Sequence, residues 1–269
     1  MATTEPSESF QLPIEATEFY ESAFVPAFFA QWAPIVCEAA GVVSGQAVLD
    51  VACGTGIVAR TAADLVAPDG TVVGLDLNEA MLTVAGRVRP DIDWRQGNAE
   101  ALPFDDESFD AVLCQMALMF FPDQAKALDE MRRAVRAGGT VALAVPGRLD
   151  TQAAFAPFVS MAGQHAGPDA MSLLSAYFVC GDLDDLAALV TSAGLKIASA
   201  RTHTGTYRAP SVDAFVTTEV ESTPLLERIS DDVYTRIRAD ARDVLGPFTN
   251  DDGSVEAPFE CNLVAARRP

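Results

Sequence analysis

Lysine is almost missing from this chain. Only Lys126 and Lys196 occur, beside sixteen arginines. Acidic residues outnumber basic ones 38 to 18, for a net charge of −20. Binding a phosphate backbone needs clustered cations, so no nucleic-acid partner is expected. The same sign argues against docking on an anionic membrane. It is compatible with a cationic ligand, although solubility explains acidity equally well. No basic residue precedes Arg60, so a signal peptide would lack its basic start. Runs of eighteen apolar residues are missing, and no membrane span is expected. The cysteines (Cys37, Cys53, Cys114, Cys180 and Cys261) form no CxxC pair. None stands at metal-ligand spacing from His165 or His203, the two histidines. No metal is expected, and scattered single thiols fit a reducing, cytoplasmic setting. Internal repeats and low-complexity tracts do not occur.

What is present is an alternation of strand and helix. The 269 residues, 49% hydrophobic, can bury the core of one large α/β domain. Residues 1–15 are polar and read as a disordered tail, leaving 16–269 as a single domain. Between 16 and 40 an aromatic stripe from Phe19 to Val36, interrupted at Pro26 and Pro34, predicts two short helices covering the mouth of a site. Strands are expected at 47–51, 71–76, 92–96, 109–115 and 140–146. Helices are expected at 57–66, at 79–88 behind an N-cap at Asn78, and from Pro122 to a stop at Gly138-Gly139. Such βα units imply a parallel sheet with right-handed crossovers. Beyond Gly147 the pattern changes. Helical insertions at 148–180 and 208–246 would sit on the substrate side, a helix at 183–193 and a strand at 195–207 between them. A last strand runs from Phe259 to Arg267.

The chain is organised around 48–59, Val-Leu-Asp-Val-Ala-Cys-Gly-Thr-Gly-Ile-Val-Ala. Strand residues run into a glycine turn and then a helix. Backbone N–H groups converge there, and Gly54 and Gly56 would let a ligand approach closely. Gly-x-Gly-x-x-Ala with Asp76 twenty residues on also fits a dinucleotide site. A nicotinamide-dependent oxidoreductase is therefore one reading. A reductase of the short-chain type would want Tyr-x-x-x-Lys, and no tyrosine is followed by lysine at that spacing. A carboxylate at Asp50, beside the turn, suits ammonium and sulfonium groups and would repel a pyrophosphate. Asp76 can accept both ribose hydroxyls. Asn98-Ala99-Glu100 and Gln115 follow strands at the carboxyl edge of the sheet, where ligands of open α/β folds bind. Cys53 reads as a small residue filling the turn, with an acidic thiol at the helix N-terminus as the alternative.

Four segments occur in order: VLDVACGTG (48–56), VVGLDLNEAML (72–82), GNAEALPFDDESFDAVLCQMALMFFPD (97–123) and RRAVRAGGTVALAVPG (132–147). Together they resemble the class I S-adenosylmethionine-dependent methyltransferases, especially the small-molecule branch with the ubiquinone/menaquinone biosynthesis enzymes. The resemblance covers about 16–147 closely, and 180–267 only in its order of elements. It implies a Rossmann-like, seven-stranded, mostly parallel sheet in order 3-2-1-4-5-7-6, with the last strand antiparallel and a helical lid. It implies S-adenosyl-L-methionine as cofactor and S-adenosyl-L-homocysteine as product. Asp50, Ala52, Cys53, Gly54, Thr55 and Gly56 would wrap the methionine and ribose. Asp76 would hold the ribose, Leu77 and Met81 would flank adenine, and Asn98, Ala99 and Glu100 would meet its edge. Gln115 would lie near the methionine end. The chain departs from the amino-methylating pattern, since Gln115-Met116-Ala117-Leu118 replaces an Asn/Asp-Pro-Pro-aromatic motif.

The expected reaction is in-line methyl transfer to a small apolar or aromatic acceptor. Met116, Met119, Phe120, Phe121, Phe155, Met161 and Phe178 are candidates to line its pocket. A base is needed only if the acceptor loses a proton; His165, His203, Tyr20 and Tyr177 are candidates and none is assigned. A non-catalytic cofactor-binding protein of the same fold is the third reading. A homodimer is compatible with the chain.

Overall fold

The computed structural model describes residues 12–221 and 225–269. Residues 1–11, most of the expected tail, lie outside the described residues. Helix α1 (Ile14–Phe19) continues as a π-helical turn, Tyr20–Phe24, into α2 (Val25–Ala27) and then α3 (Trp32–Ala40). Next come β1 (Ala47–Val51), α4 (Ile57–Val66), β2 (Thr71–Asp76), α5 (Glu79–Val88), β3 (Asp93–Gln96), β4 (Phe109–Gln115), α6 (Gln124–Ala134) and β5 (Val135–Pro146). The remainder is α7 (Phe155–Ala166), α8 (Pro168–Ser175), α9 (Leu183–Ser192), β6 (Lys196–Ala209), α10 (Val212–Glu221), α11 (Asp231–Leu245) and β7 (Val255–Arg267).

The strands form one sheet in order β3-β2-β1-β4-β5-β7-β6, as expected, with β7 antiparallel to both neighbours. Central strands are apolar on both faces, and alternate residues feed two cores. Val48, Ala111, Leu113, Ala142 and Ala144 face one, with α3, α4, α7 and the C-terminal helices. Leu49, Val51, Val112, Cys114, Leu143 and Val145 face the other, with α6 and α9. Asp50 therefore shares the face of Val48. That places its carboxyl under α3 and α4.

Local chemistry explains where the elements differ from expectation. Pro34 does not interrupt a helix; it is the third residue of α3, in the first turn, where a missing N–H costs nothing. Gly138-Gly139 does not end α6. The helix stops at Ala134, and β5 already begins at Val135. The glycines instead carry the strand through an irregularity opposite Phe109–Ala111, where a Cβ on Gly139 would lie 2.7 Å from the Asp110 carbonyl. The last two strands outrun expectation because they pair with each other from Lys196–Arg267 to Ala209–Val255. Trp32, wholly buried, clamps the N-terminal segment against β7, its ring 6.4 Å from Phe259 and 6.3 Å from Phe28. Truncating a tryptophan in such a place costs about 3–5 kcal/mol. Among the described residues, no single helix is long and apolar enough to cross a membrane.

Candidate cofactor cleft

Strand β1 ends at the sheet's carboxyl edge and the chain turns sharply. Ala52, Gly54 and Gly56 all take positive φ, at 55°, 56° and 89°. Cys53 N–H donates to the Leu75 carbonyl (2.9 Å) and Gly56 N–H to that of Cys53 (2.8 Å), tying the turn to β2. Met116, just past β4, also has positive φ (54°). Two non-glycine residues are thus held in a conformation costing roughly 1 kcal/mol or more each, both on the wall of one cleft.

Asp76, at the end of β2, is the second anchor of the turn. Its Oδ2 accepts Gly54 N–H and its Oδ1 accepts Asn78 N–H, both at 2.8 Å. Each oxygen keeps a further lone pair for a ligand hydroxyl. Asn78 caps α5 as expected, its Oδ1 accepting Ala80 N–H at 2.8 Å. Burial raises the Asp76 carboxyl above its ordinary value, and these amide bonds oppose the rise. Asp50 is 1% exposed, and its Oδ2 accepts Ala59 N–H at 2.9 Å. Burial pushes its carboxyl up to about 8; the Ala59 amide opposes this and the charge of Asp76 adds to it.

Asp50, Ala52, Cys53, Gly54 and Gln115 come together on one cleft of about 60 Å³, completed by Ile57, Val58 and Met116. Its roof is Tyr20 and Phe29, whose rings lie 5.0 Å apart. No cation lines it. Gln115 Oε1 is buried there without a partner, as is Thr55 Oγ1 in the adjoining turn, outside the lining; the Gln115 amide nitrogen donates to the Phe29 carbonyl at 3.2 Å. Such orphan acceptors are costly unless a ligand donor meets them. The residues present fit a cationic, hydroxyl-bearing ligand. Arg60 on α4 holds the roof by a two-pronged ion pair to Glu21, at 2.7 and 3.2 Å.

Other expected site residues are placed differently. Gly56 faces the indole of Trp94, which occupies the space a Cβ would take. Leu77 is 54% exposed beside Asp76, an apolar surface where a flat base could lie, and Met81 is half-buried on α5. Ala99 is buried in the second core. Asn98 Oδ1 accepts Glu100 N–H (2.9 Å), and Glu100 Oε1 accepts Asp123 N–H (2.9 Å), so both serve turns. Cys53 is no acidic thiol: burial pushes it well up, as do Asp50 and Asp76. Neither histidine reaches the cleft. His165 pairs with Asp240 at 2.7 Å between α7 and α11, and His203 lies exposed on β6 against Trp32. Of the expected acceptor pocket, Met116, Phe155, Met161 and Phe178 share one core while Met119, Phe120 and Phe121 pack in the other. Phe29 belongs to the aromatic stripe expected over the mouth of the site; Trp94 was missed, because it stands in no motif and its indole N–H is taken up by the Arg89 carbonyl.

Residues 49–143 match the family described as methyltransferase domain. The matched segment is similar to that family from β1 to β5. The chain is similar to the demethylmenaquinone methyltransferase of Renibacterium salmoninarum, 46% identical over 114 residues, or 42% of this chain and 47% of that one. It is also similar to a ubiquinone/menaquinone biosynthesis C-methyltransferase of Hahella chejuensis, 41% identical over 114 residues, 40% and 46% of the two chains. It spans about half the length of these curated relatives. Among solved structures, YcgJ of Bacillus subtilis superposes with a TM-score of 0.59 at 19% identity, over 88% of this chain and 98% of that one. The phosphoethanolamine N-methyltransferase 2 of Haemonchus contortus, in complex with S-adenosyl-L-methionine, gives 0.59 at 21% identity, over 96% and 57%. At such identity the likeness concerns the fold alone, and the cleft of this chain lies at the carboxyl edge of its sheet.

Proposed function

We propose that this chain transfers a methyl group from S-adenosyl-L-methionine to a small apolar or aromatic acceptor. The observation that carries the reading is the charge of the cleft. The buried carboxyl of Asp50 and the unpartnered Gln115 Oε1 line a cavity with no cation, and a second buried carboxyl, Asp76, holds the Gly54 amide of its wall. Ammonium, sulfonium and ribose hydroxyls answer that set; a pyrophosphate does not. Asp50, Ala52, Cys53, Gly54, Thr55 and Gln115 would hold the methionine end, and Asp76 the ribose. Leu77, Met81, Asn98, Ala99 and Glu100 would border adenine, Gly56 acting through the shape of the turn.

The bound donor supplies an electrophilic methyl with a good leaving group. The chain's own part is alignment and exclusion of water. Tyr20 and Phe29 close the cleft from above, and both must shift for a ligand the size of an adenosyl group to enter, since such sites measure about 300 Å³ or more. Residues 16–40 thus act as a lid. The helical segments 148–180 and 208–246 form the acceptor side. A cytoplasmic setting and a metabolite acceptor, with no nucleic acid, accord with the net charge of −20.

Calorimetric titration with S-adenosylmethionine and S-adenosylhomocysteine tests the reading: saturable binding at micromolar ligand is expected. Absence of binding, together with saturable enhancement of NADH fluorescence, would overturn it.

A further inference from the structure

The two outer edges of the sheet are built differently. On one side β3 is four residues long, and its Asp93 and Arg95 pair with each other at 2.7 Å. Short, charged edges resist further pairing. On the other side β6 runs for 14 residues. From Ala198 to Thr204 every residue is exposed, so this stretch is open on both faces as well as along its rim. It holds no proline, and Thr202, Thr204 and Thr206 favour an extended backbone.

The register decides which backbone groups face outward. Thr206 stands opposite Pro258, which has no N–H to give. Thr206 therefore turns its own N–H and C=O away from β7, and the side chain of Gln31 takes both. Gln31 Oε1 accepts the Thr206 N–H at 2.9 Å, and Nε2 donates to the Thr206 carbonyl at 2.7 Å. A residue of a neighbouring antiparallel strand would make the same two bonds. Pairing with β7 is regular from Ser199 to Ala209, so every second residue repeats the outward orientation. Ala200, Thr202 and Thr204 thus offer the groups that Thr206 gives to Gln31. Among the described residues, nothing takes them. Gln31 closes this open rim at one end, and the irregularity between Ile197 and Ser199 closes it at the other.

Charge selects the partner. The chain carries a net charge of −20, yet no acid occurs from Leu186 to Val212. Lys196, Arg201 and His203 all lie in that stretch, and Lys196 stands opposite Arg267 of β7. Among the described residues, Lys196, Arg201 and Arg267 have no ion-pair partner. Arg201 and His203 are two residues apart and share one face, the face on which the His203 ring meets Trp32 at 5.8 Å. A second copy of β6 brings no acid to Arg201 in any register, since the strand contains none, and like charges across a strand pair are unfavourable.

We propose that the rim of β6 from Ser199 to Gly205 receives an extended segment of another protein that carries Asp or Glu at alternate positions. Its residues opposite Ala200, Thr202 and Thr204 exchange N–H···O bonds with them. The acids between these stand beside Arg201 and His203. Strands β4, β5 and β7 separate this edge from β1, so the partner docks without entering the cofactor cleft.

Fluorescence anisotropy with a labelled peptide, Thr-Glu-Thr-Glu-Thr-Glu-Thr, tests the assignment. Wild type should bind it saturably at low salt, and raising the salt to about 0.5 M should weaken binding severalfold. The peptide with Lys in place of Glu should bind about tenfold more weakly, as reversing two cross-strand charge pairs implies. N-methylation of the peptide's threonines, whose amides face β6, should abolish binding. N-methylation of its glutamates, whose amides face away, should leave it. Arg201→Glu, a change at an exposed position, should remove the advantage of the glutamate peptide. With peptide bound, the amides of Ala200, Thr202 and Thr204 should gain protection from hydrogen exchange. No binding at millimolar peptide, equal binding of the glutamate and lysine peptides, or equal loss from either N-methylation would each overturn the assignment. A peptide-free dimer with those three amides protected would also overturn it, because a second copy would then hold the edge.

Discussion

An ideal Cβ on Gly56 would stand 2.2 Å from Cη2 of Trp94. Gly74 on β2 is cut to the same indole, at 2.3 Å from Cζ3, and the indole N–H donates to the Arg89 carbonyl at 2.9 Å. The second glycine of the cofactor turn thus answers to packing and to its φ of 89°, with no ligand required. Gly56→Ala should destabilise the chain by about 2–4 kcal/mol through overlap and backbone strain. In a Trp94→Ala background the same change should cost about 1–3 kcal/mol less. Denaturant melts of the four proteins of this cycle check the coupling; additive costs would mean the indole is not the obstacle.

Asp76 anchors the Gly54 and Asn78 amides, and under the proposed function its spare lone pairs also receive the ribose hydroxyls. Asp76→Asn keeps one acceptor oxygen, so folding should survive. S-adenosylhomocysteine affinity should fall by about 1.5–3 kcal/mol, as for lost charge-assisted bonds. Calorimetry against circular-dichroism melts separates the two tasks.

Asp50 makes affinity depend on pH. Its carboxyl, raised to about 8 by burial, must lose its proton to receive a cation. Affinity for S-adenosylmethionine should therefore rise with pH, by up to about tenfold per unit between pH 6 and pH 8, and level off above. Asp50→Asn should flatten the curve. Stability of the ligand-free chain moves the other way. A carboxyl raised from about 4 in the unfolded chain contributes fully below that value and loses its contribution as pH climbs through about 8. Asp50→Asn should gain in melting temperature relative to wild type as pH rises from about 5 to about 9. A constant difference across that range would show that Asp50 titrates normally.

The roof is tied down through Arg60 and Glu21, both largely buried (side chains 13% and 20% exposed). Arg60→Ala should cost about 1 kcal/mol, within the range for a half-screened, bidentate pair. Hydrogen exchange should quicken over residues 14–31 and not in β1 or β4. Exchange that quickens evenly over the chain would contradict a lid held at this point.

Much of the fold was legible before any coordinates, because its signals are local. Apolar runs of five to seven residues mark the strands, Asn78 caps α5 within its own turn, and the turn after Val51 is written in consecutive residues. Legibility failed where a residue's role depended on what lay across space. Gly138-Gly139 resembles a helix stop, yet the partner Asp110 and the end of β7 keep those glycines in a strand. His165 and His203 stood among four candidate bases, none assigned, and the fold sends them to α7 and the edge strand β6.

By itself, the sequence determined where β1, β2, β4 and their helices lie along the chain, the carboxylates at the ends of β1 and β2 and the glycine turn after β1, since all of these rest on neighbours in the chain. Only the tertiary structure decided that Trp94 fills the space beneath Gly56, and which residues of the 16–40 stripe, Tyr20 and Phe29, roof the cleft. Those meetings join segments brought together by sheet pairing and core burial, and no periodicity within either segment encodes which side chain it will find opposite.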